Sequence, residues 1–573
     1  MKRAANFVAV VLVTGMLVFN IRSGSAQTPN PSAPPTPSPS SAPPASAPQT
    51  PSAASPVPAT TSSATGVPPK PAVAPMSAPL LHAQELYRRG KFDPALAEYN
   101  AIITAGGGDV AGAYAGLARV YLRQKKPADA LPAAQKAVAL NPDLAAAHTA
   151  LGEVYFRQGK LSDAEHEFQF TNRNRRSDAR AYLGLNRIYR ATSNYKMAKT
   201  ALDLAYQLDS QDPEIRRSWF GTLSLKDRLK AMQEYLQSSS NDDEESLGYL
   251  QHAMMVLQDE MNRPIRGCRL TTKITSTQTN LESLMIDAGH LRGYGLKVTL
   301  NDTSSRLLLD TGAGGILVNS KIAEKAGVQQ VVEQNVKGIG DAAGASGYVG
   351  YVNSIQIGEL QFQNCYVRVV DKKSSMGEDG YIGADVFANY LVDIDFPDAK
   401  FKLSELPKLP DEAAEETSLN SQPTSTYHPR DRYVAPEMKD YSKIFRFGHQ
   451  LLVPTMVNEQ PYKLFLLDTG AFNDTITPDA AREITKVYAD DRMHVKGFSG
   501  QIDKVYVAED VTLAFGHLKQ KGSLVSFDMT NTSNSIGTEV SGTLGFGMLF
   551  LLDIKIDYRD GLVNFSYDPN RIH

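Results

Sequence analysis

The seven residues Leu307-Leu308-Leu309-Asp310-Thr311-Gly312-Ala313 return at 465–471 as Phe465-Leu466-Leu467-Asp468-Thr469-Gly470-Ala471. Each copy is an apolar strand that delivers a carboxylate into a tight Thr-Gly turn. One carboxylate cannot be acid and base at the same moment, but two brought together can divide those roles. At a separation of about 3 Å they could not both ionise comfortably and would share one proton. The ionised member would then take a proton from a water, while the protonated member hydrogen-bonds a scissile carbonyl. This chemistry calls for no metal and no organic cofactor.

The repetition extends beyond the turn. Val336-Lys337-Gly338 follows the first copy and Val495-Lys496-Gly497 the second; Ile382-Gly383 and Leu544-Gly545 come next. Closing strands end each unit, Leu391 to Phe396 and Leu552 to Tyr558. A lone Asp-Thr-Gly says little, because Asp and Gly are ordinary turn residues. Four landmarks in one order indicate an internal duplication. Short apolar or alternating strands with turns at Asn301-Asp302 and Asn458-Glu459 predict two all-β lobes, 286–405 and 445–573. The segment 406–444, rich in Glu, Pro, Ser and Thr, reads as a linker short enough to favour a dyad formed within one chain.

The N-terminal half has a different texture. Lys2 and Arg3 precede a short apolar run from Phe7 to Phe19, and Gly24-Ser25-Ala26 supplies small residues for cleavage, so 1–26 reads as a signal peptide. The expected location is therefore exported, periplasmic or extracellular, with no stable membrane span after cleavage. Residues 27–79 are dominated by Pro, Ser, Ala and Thr and read as a disordered linker. From 80 to 238 Ala/Leu-rich helices repeat: Tyr121, Tyr155 and Tyr189 are 34 apart, as are Ala130, Ala164 and Ala198. Small residues let paired helices approach closely, and aromatics fill the gaps between them. Residues 239–285 are a connector of mixed composition.

Net charge is −3, from 59 basic and 62 acidic residues, which gives nucleic acid nothing to bind. Cys268 and Cys365 are the two cysteines, and an oxidising compartment would allow them to pair. Neither Cys nor His spacing supports a metal cluster. Asp393, Asp395, Asp553 and Asp557 alternate with apolar residues on the closing strands and are expected to face outward or to pair with turns.

On these motifs the chain resembles the retropepsin-like aspartyl protease family, with its lobe present twice, behind an array that resembles tetratricopeptide repeats. The resemblance implies a multidomain fold: an all-α solenoid followed by two all-β acid-protease lobes. It implies that Asp310 and Asp468 are catalytic, and that Thr311 and Thr469 grip the opposite loops with Gly312, Ala313, Gly470 and Ala471 in support. Ile382-Gly383 and Leu544-Gly545 should lie behind the aspartates. Asp385 fits the family's Gly-x-Asp continuation, from which Gly547 departs. The flap over the substrate would be formed by Gly338, Ile339 and Gly340, with Gly497 and Phe498 in the shorter second copy. The expectation is an exported aspartic endopeptidase, a pseudo-symmetric monomer that cuts polypeptides. The array would recruit a protein partner or substrate, so that a chain beginning near residue 286 keeps peptide hydrolysis. The alternative is a non-catalytic peptide-binding scaffold.

Overall fold

The computed structural model describes residues 76–571 except 174–177, 239–243, 264–267, 288–289, 337–344, 371–378, 411–429, 490–494, 497–500 and 503. The signal, most of the Pro/Ser/Ala-rich segment and the flap residues Gly338, Ile339, Gly340, Gly497 and Phe498 lie outside the described residues.

The helical half begins with four antiparallel pairs: Ala78–Arg88 with Phe92–Ala105, Val110–Arg123 with Pro127–Leu140, Ala145–Arg157 with Leu161–Arg173, and Ala179–Ala191 with Tyr195–Leu208. A shorter pair, Pro213–Phe220 and Leu225–Ser238, and a long helix, Glu244–Asn262, complete it. The period arises from holes and plugs. A Cβ on Gly152 would lie 2.7 Å from the Phe168 ring and one on Gly184 2.3 Å from it. The buried Phe168 therefore fills a space that only two glycines leave open.

Each β lobe is built on one main sheet. In the first, strand Thr303–Asp310 runs antiparallel to His290–Leu300 and parallel to Gly380–Gly383, with Asp310 opposite Gly383. In the second, Lys463–Asp468 runs antiparallel to Gln450–Val457 and parallel to Gly542–Gly545, with Asp468 opposite Gly545. The turns that precede the aspartate strands match as well. Asn301 and Asn458 have φ of 48° and 47°. Their side-chain oxygens accept from Ser354 N at 3.1 Å and Thr512 N at 2.7 Å. Asparagine tolerates the left-handed region because its side chain bonds locally.

The lobes are joined by a sheet that belongs to both. Tyr390–Asp395 pairs antiparallel with Leu552–Asp557, the two closing strands side by side. Lys400–Glu405 and Ser276–Asn280 extend this sheet on one side, Leu562–Tyr567 and Ser442–Lys443 on the other. The connector thus supplies a strand to the inter-lobe sheet, and the Cys268–Cys365 disulfide ties it to lobe 1. One apolar core runs through both lobes, from Leu296, Val318 and Ile382 to Leu467, Val511 and Leu544.

Of the two placements expected for the closing-strand acids, turn pairing is the one that Asp395 and Asp557 adopt. Asp395 and Asp557 do not face outward; both are buried. They close matching turns, accepting from Asp398 N at 3.3 Å and Asp560 N at 3.0 Å. Lys402 Nζ and Arg571 also donate to Asp395, at 2.8 and 2.6 Å. Asp393 is pushed up to about 6 by burial and by Asp553 across the sheet, more than Lys402 and Lys555 offset.

The array packs directly on lobe 2. Phe156, Leu161 and Phe168 share an apolar cluster with Leu452, Leu464, Leu466, Phe527, Met529 and Val540 of lobe 2. Thr538 Oγ1 donates to Phe156 O at 2.6 Å, and Glu539 N to Arg157 O at 2.9 Å. The end of the linker is strapped on too: Tyr195 N donates to Arg430 O at 2.8 Å and Arg432 N to Asn194 Oδ1 at 3.2 Å.

This packing has consequences that can be measured. A chain beginning at residue 286 loses the array, Cys268 and Ser276–Asn280, and uncovers Leu452, Leu464 and Leu466 to water. It is expected to aggregate on expression; soluble monomer by size-exclusion chromatography would show that the lobes stand alone. Asp393, with its folded pKa raised above that of the unfolded chain, favours folding only while protonated, and its contribution fades as pH rises from about 4 towards about 6. Asp393→Asn, which mimics the protonated acid, should therefore stabilise the protein at pH 7 by roughly 1–2 kcal/mol, with the gain vanishing at low pH. Thermal melts across that range are the measurement.

Candidate active site

The two Asp-Thr-Gly loops meet where the lobes touch, and each holds the other. Thr311 Oγ1 donates to Leu467 O at 2.8 Å and accepts from Thr469 N at 3.0 Å. Thr469 Oγ1 does the reverse, donating to Leu309 O at 2.8 Å and accepting from Thr311 N at 3.1 Å. Both threonines are fully buried, so these bonds lie out of reach of water. Only a hydroxyl, at once donor and acceptor, can make both contacts.

Each carboxylate is fixed by its own turn. Asp310 Oδ1 accepts from Gly312 N at 2.8 Å and Ala313 N at 3.0 Å. Asp468 Oδ1 accepts from Gly470 N at 3.0 Å and Ala471 N at 2.8 Å. The glycines are needed for approach. A Cβ on Gly470 would fall 2.3 Å from Asp310 Cγ, and one on Gly312 2.7 Å from Asp468 Cγ. Burial and the facing carboxylate push Asp310 up to about 8. Burial also raises Asp468, against the turn amides and the Arg292 charge. The pair thus holds one proton through neutral pH and can offer a base and an acid side by side.

One acid in each lobe braces the loop against the strand behind it. Asp385 Oδ1 accepts from Gly315 N at 2.9 Å. In lobe 2, where Gly547 stands in place of that acid, Asp474 accepts from Gly545 N at 2.7 Å. The same brace is built from the loop side, and burial raises Asp474 to about 7.

Known proteins share parts of this arrangement. Residues 296–386 match the model of the aspartyl protease family. That segment is a retropepsin-like aspartyl protease domain. Residues 80–145 and 121–188 match tetratricopeptide repeat models. The DNA damage-inducible protein 1 of Eremothecium gossypii is 22% identical over 252 residues, 40% of this chain and 49% of that protein. The chain thus spans about half the length of that relative. A solved thermophilic tetratricopeptide protein of Thermus thermophilus is 21% identical, with a TM-score of 0.26, over 31% of this chain and 97% of that one. The fold is a tetratricopeptide repeat region followed by a β-rich region.

The carboxylate site includes residues without a counterpart in the sequence motifs. Arg292, buried, donates from Nη2 to Gly470 O at 2.7 Å, crossing from lobe 1 to the loop of lobe 2. His449 crosses the other way: its ring packs on the loop of lobe 1, where a Cβ on Gly314 would lie 2.6 Å from it. Arg368 donates to Gly314 O. A signal existed for the first two. Asn301 and Asn458 mark one register and lie 157 apart, as do Arg292 and His449.

Thr311→Val keeps the shape but leaves Leu467 O and Thr469 N buried without partners, and Thr469→Val does the same to Leu309 O and Thr311 N. Each should cost about 2–5 kcal/mol in denaturant unfolding, at about 1–3 kcal/mol per orphaned group. The double variant should cost less than the sum, because the residues form one network.

Proposed function

We propose that the chain is an exported aspartic endopeptidase whose Asp310 and Asp468 form one catalytic dyad within a single polypeptide. The observation that carries this reading is the convergence of two intact Asp-Thr-Gly-Ala loops, one from each lobe, at one buried point. A water held between the carboxylates gives a proton to the ionised member as its oxygen attacks the peptide carbonyl. The protonated member hydrogen-bonds the carbonyl oxygen as it becomes tetrahedral. That proton then passes to the leaving amine, and the dyad ends with one proton again. Thr311, Thr469 and the loop glycines position the acids and take no part in proton transfer. Export is supported by the apolar N-terminal run and by the Cys268–Cys365 bridge, since disulfides persist in oxidising compartments. The array offers a surface for a protein partner or substrate.

Cleavage of a denatured protein, blocked by a statine inhibitor that mimics the tetrahedral intermediate, is the direct test. Asp310→Asn and Asp468→Asn should each abolish turnover, and the double variant should lose no more, because the two act as a unit. Mixing the two single variants should restore nothing, since the lobes of one chain share a sheet and a core. In the unmodified protein kcat/KM should fall as pH rises through about 8, where the shared proton leaves. An intact, folded protein without statine-sensitive cleavage would favour a peptide-binding scaffold instead.

A further inference from the structure

The two lobes are close to twofold symmetric around the dyad, yet a working pair must be asymmetric, with one acid and one base. The loops themselves offer no distinction. Each carboxylate receives two amides from its own turn, each threonine makes the same two bonds, and each glycine packs on the opposite acid. The difference lies one layer out, at the residues that reach across the lobe boundary.

Arg292 and His449 occupy matching places, at the beginning of the strand before the aspartate strand in lobe 1 and immediately before it in lobe 2. They also reach matching loops: Arg292 donates to Gly470 O of the second, and the His449 ring packs on Gly314 of the first, where a Cβ would lie 2.6 Å from it. The chemistry at the two positions differs. A guanidinium is charged at every working pH, and that of Arg292 acts on Asp468. An imidazole need not be charged, and burial holds that of His449 below its ordinary value, against the pull of Asp385 and Asp310 and with the push of Arg368. Tyr558, buried near Asp310 and Asp385, stays protonated and adds no charge. The Asp468 side therefore has a guanidinium at the motif glycine itself, whereas on the Asp310 side the guanidinium of Arg368 bonds Gly314 O, two residues farther along, and a neutral ring lies on that same glycine.

We propose that Arg292 and His449 break the symmetry of the dyad, so that the shared proton resides on Asp310 and Asp468 is the base toward water. Both are positioning residues: neither touches the reacting atoms, and each acts through the carboxylate of the loop it holds. This rests on the dyad reading above and adds which member does what.

The proton's place can be read without turnover. In infrared spectra taken against the Asp310→Asn/Asp468→Asn double variant, the protonated-carboxyl band of Asp310 is isolated in Asp468→Asn. The band of Asp468 is isolated in Asp310→Asn. The Asp310 band should persist to higher pH than the Asp468 band. Adding Arg292→Gln to Asp310→Asn should move the Asp468 titration up by about one pH unit, the effect of losing one nearby opposite charge. Kinetics give a second readout. Arg292→Gln should raise the acidic limb of kcat/KM, Arg292→Lys should leave it in place, and His449→Arg should lower the alkaline limb. Equal or reversed titration of the two bands, or limbs unmoved by both charge changes in folded protein, overturns the proposal. Absence of statine-sensitive hydrolysis in the unmodified chain overturns the dyad reading and with it the role of Asp468. Hydrolysis with the wrong titration order overturns this assignment alone.

Discussion

Two carboxylates forced together in a buried site repel each other, and much of this structure serves to hold them there. At about 4 Å and an effective dielectric of about 20, two full charges would oppose each other by about 4 kcal/mol. Sharing a proton removes most of that cost, but only if the groups cannot drift apart. The four threonine bonds fix the loops at close range, and the glycines let each loop rest on the other's acid. Behind them, the antiparallel pairing of Tyr390–Asp395 with Leu552–Asp557 makes the lobes parts of one sheet. Separating the carboxylates would mean breaking the threonine bonds and the sheet as well.

Duplication lets one chain supply both halves of the site, and it also lets the halves diverge. In lobe 1 the loop brace is Asp385, placed after the glycine of Gly380–Gly383; in lobe 2 it is Asp474, placed before Gly545 in the chain. What persists is a carboxylate accepting from a loop or strand amide at that point, not the residue that provides it. The same freedom lets the crossing residue be arginine on one side and histidine on the other.

Much of the site was legible in the sequence because its parts are local. Asp-Thr-Gly-Ala is a turn, Ile382-Gly383 and Leu544-Gly545 are strand ends, and Asn301 and Asn458 are turn residues, each readable without knowing its neighbours in space. Turn pairing of Asp395 and Asp557 was one of two placements the alternation allowed; the basic partners of Asp395 were not readable, because Lys402 and Arg571 come from other segments. The packing of the array on lobe 2 did leave a trace. Lobe 1 has the exposed Arg306 where lobe 2 has the buried Leu464, two residues before Leu308 and Leu466 respectively. Leu464, Phe465, Leu466 and Leu467 are all buried, Phe465 and Leu467 in the lobe core and Leu464 and Leu466 against the array. A strand that is apolar on both faces is covered on both faces. The second covered side of this run is the one that packs on the array.

That second side changes what the array can do. A helical module on a flexible tether raises the local concentration of whatever it binds, by an amount that depends on tether length. Here the array shares an apolar cluster with lobe 2, and the linker's end is bonded to Asn194 and Tyr195. Direct packing, rather than tether length, therefore sets the relation between the two. A protein bound to the array would be held at a fixed distance and angle from Asp310 and Asp468, so only a segment lying in the right direction could enter between the lobes. Selection among substrates would then follow from geometry, as it does wherever remote contacts orient a reacting bond. The contacts at Phe156 and Arg157, which also help to cover lobe 2, would set that orientation, so the stability of the lobe and its choice of substrate would rest on the same few side chains.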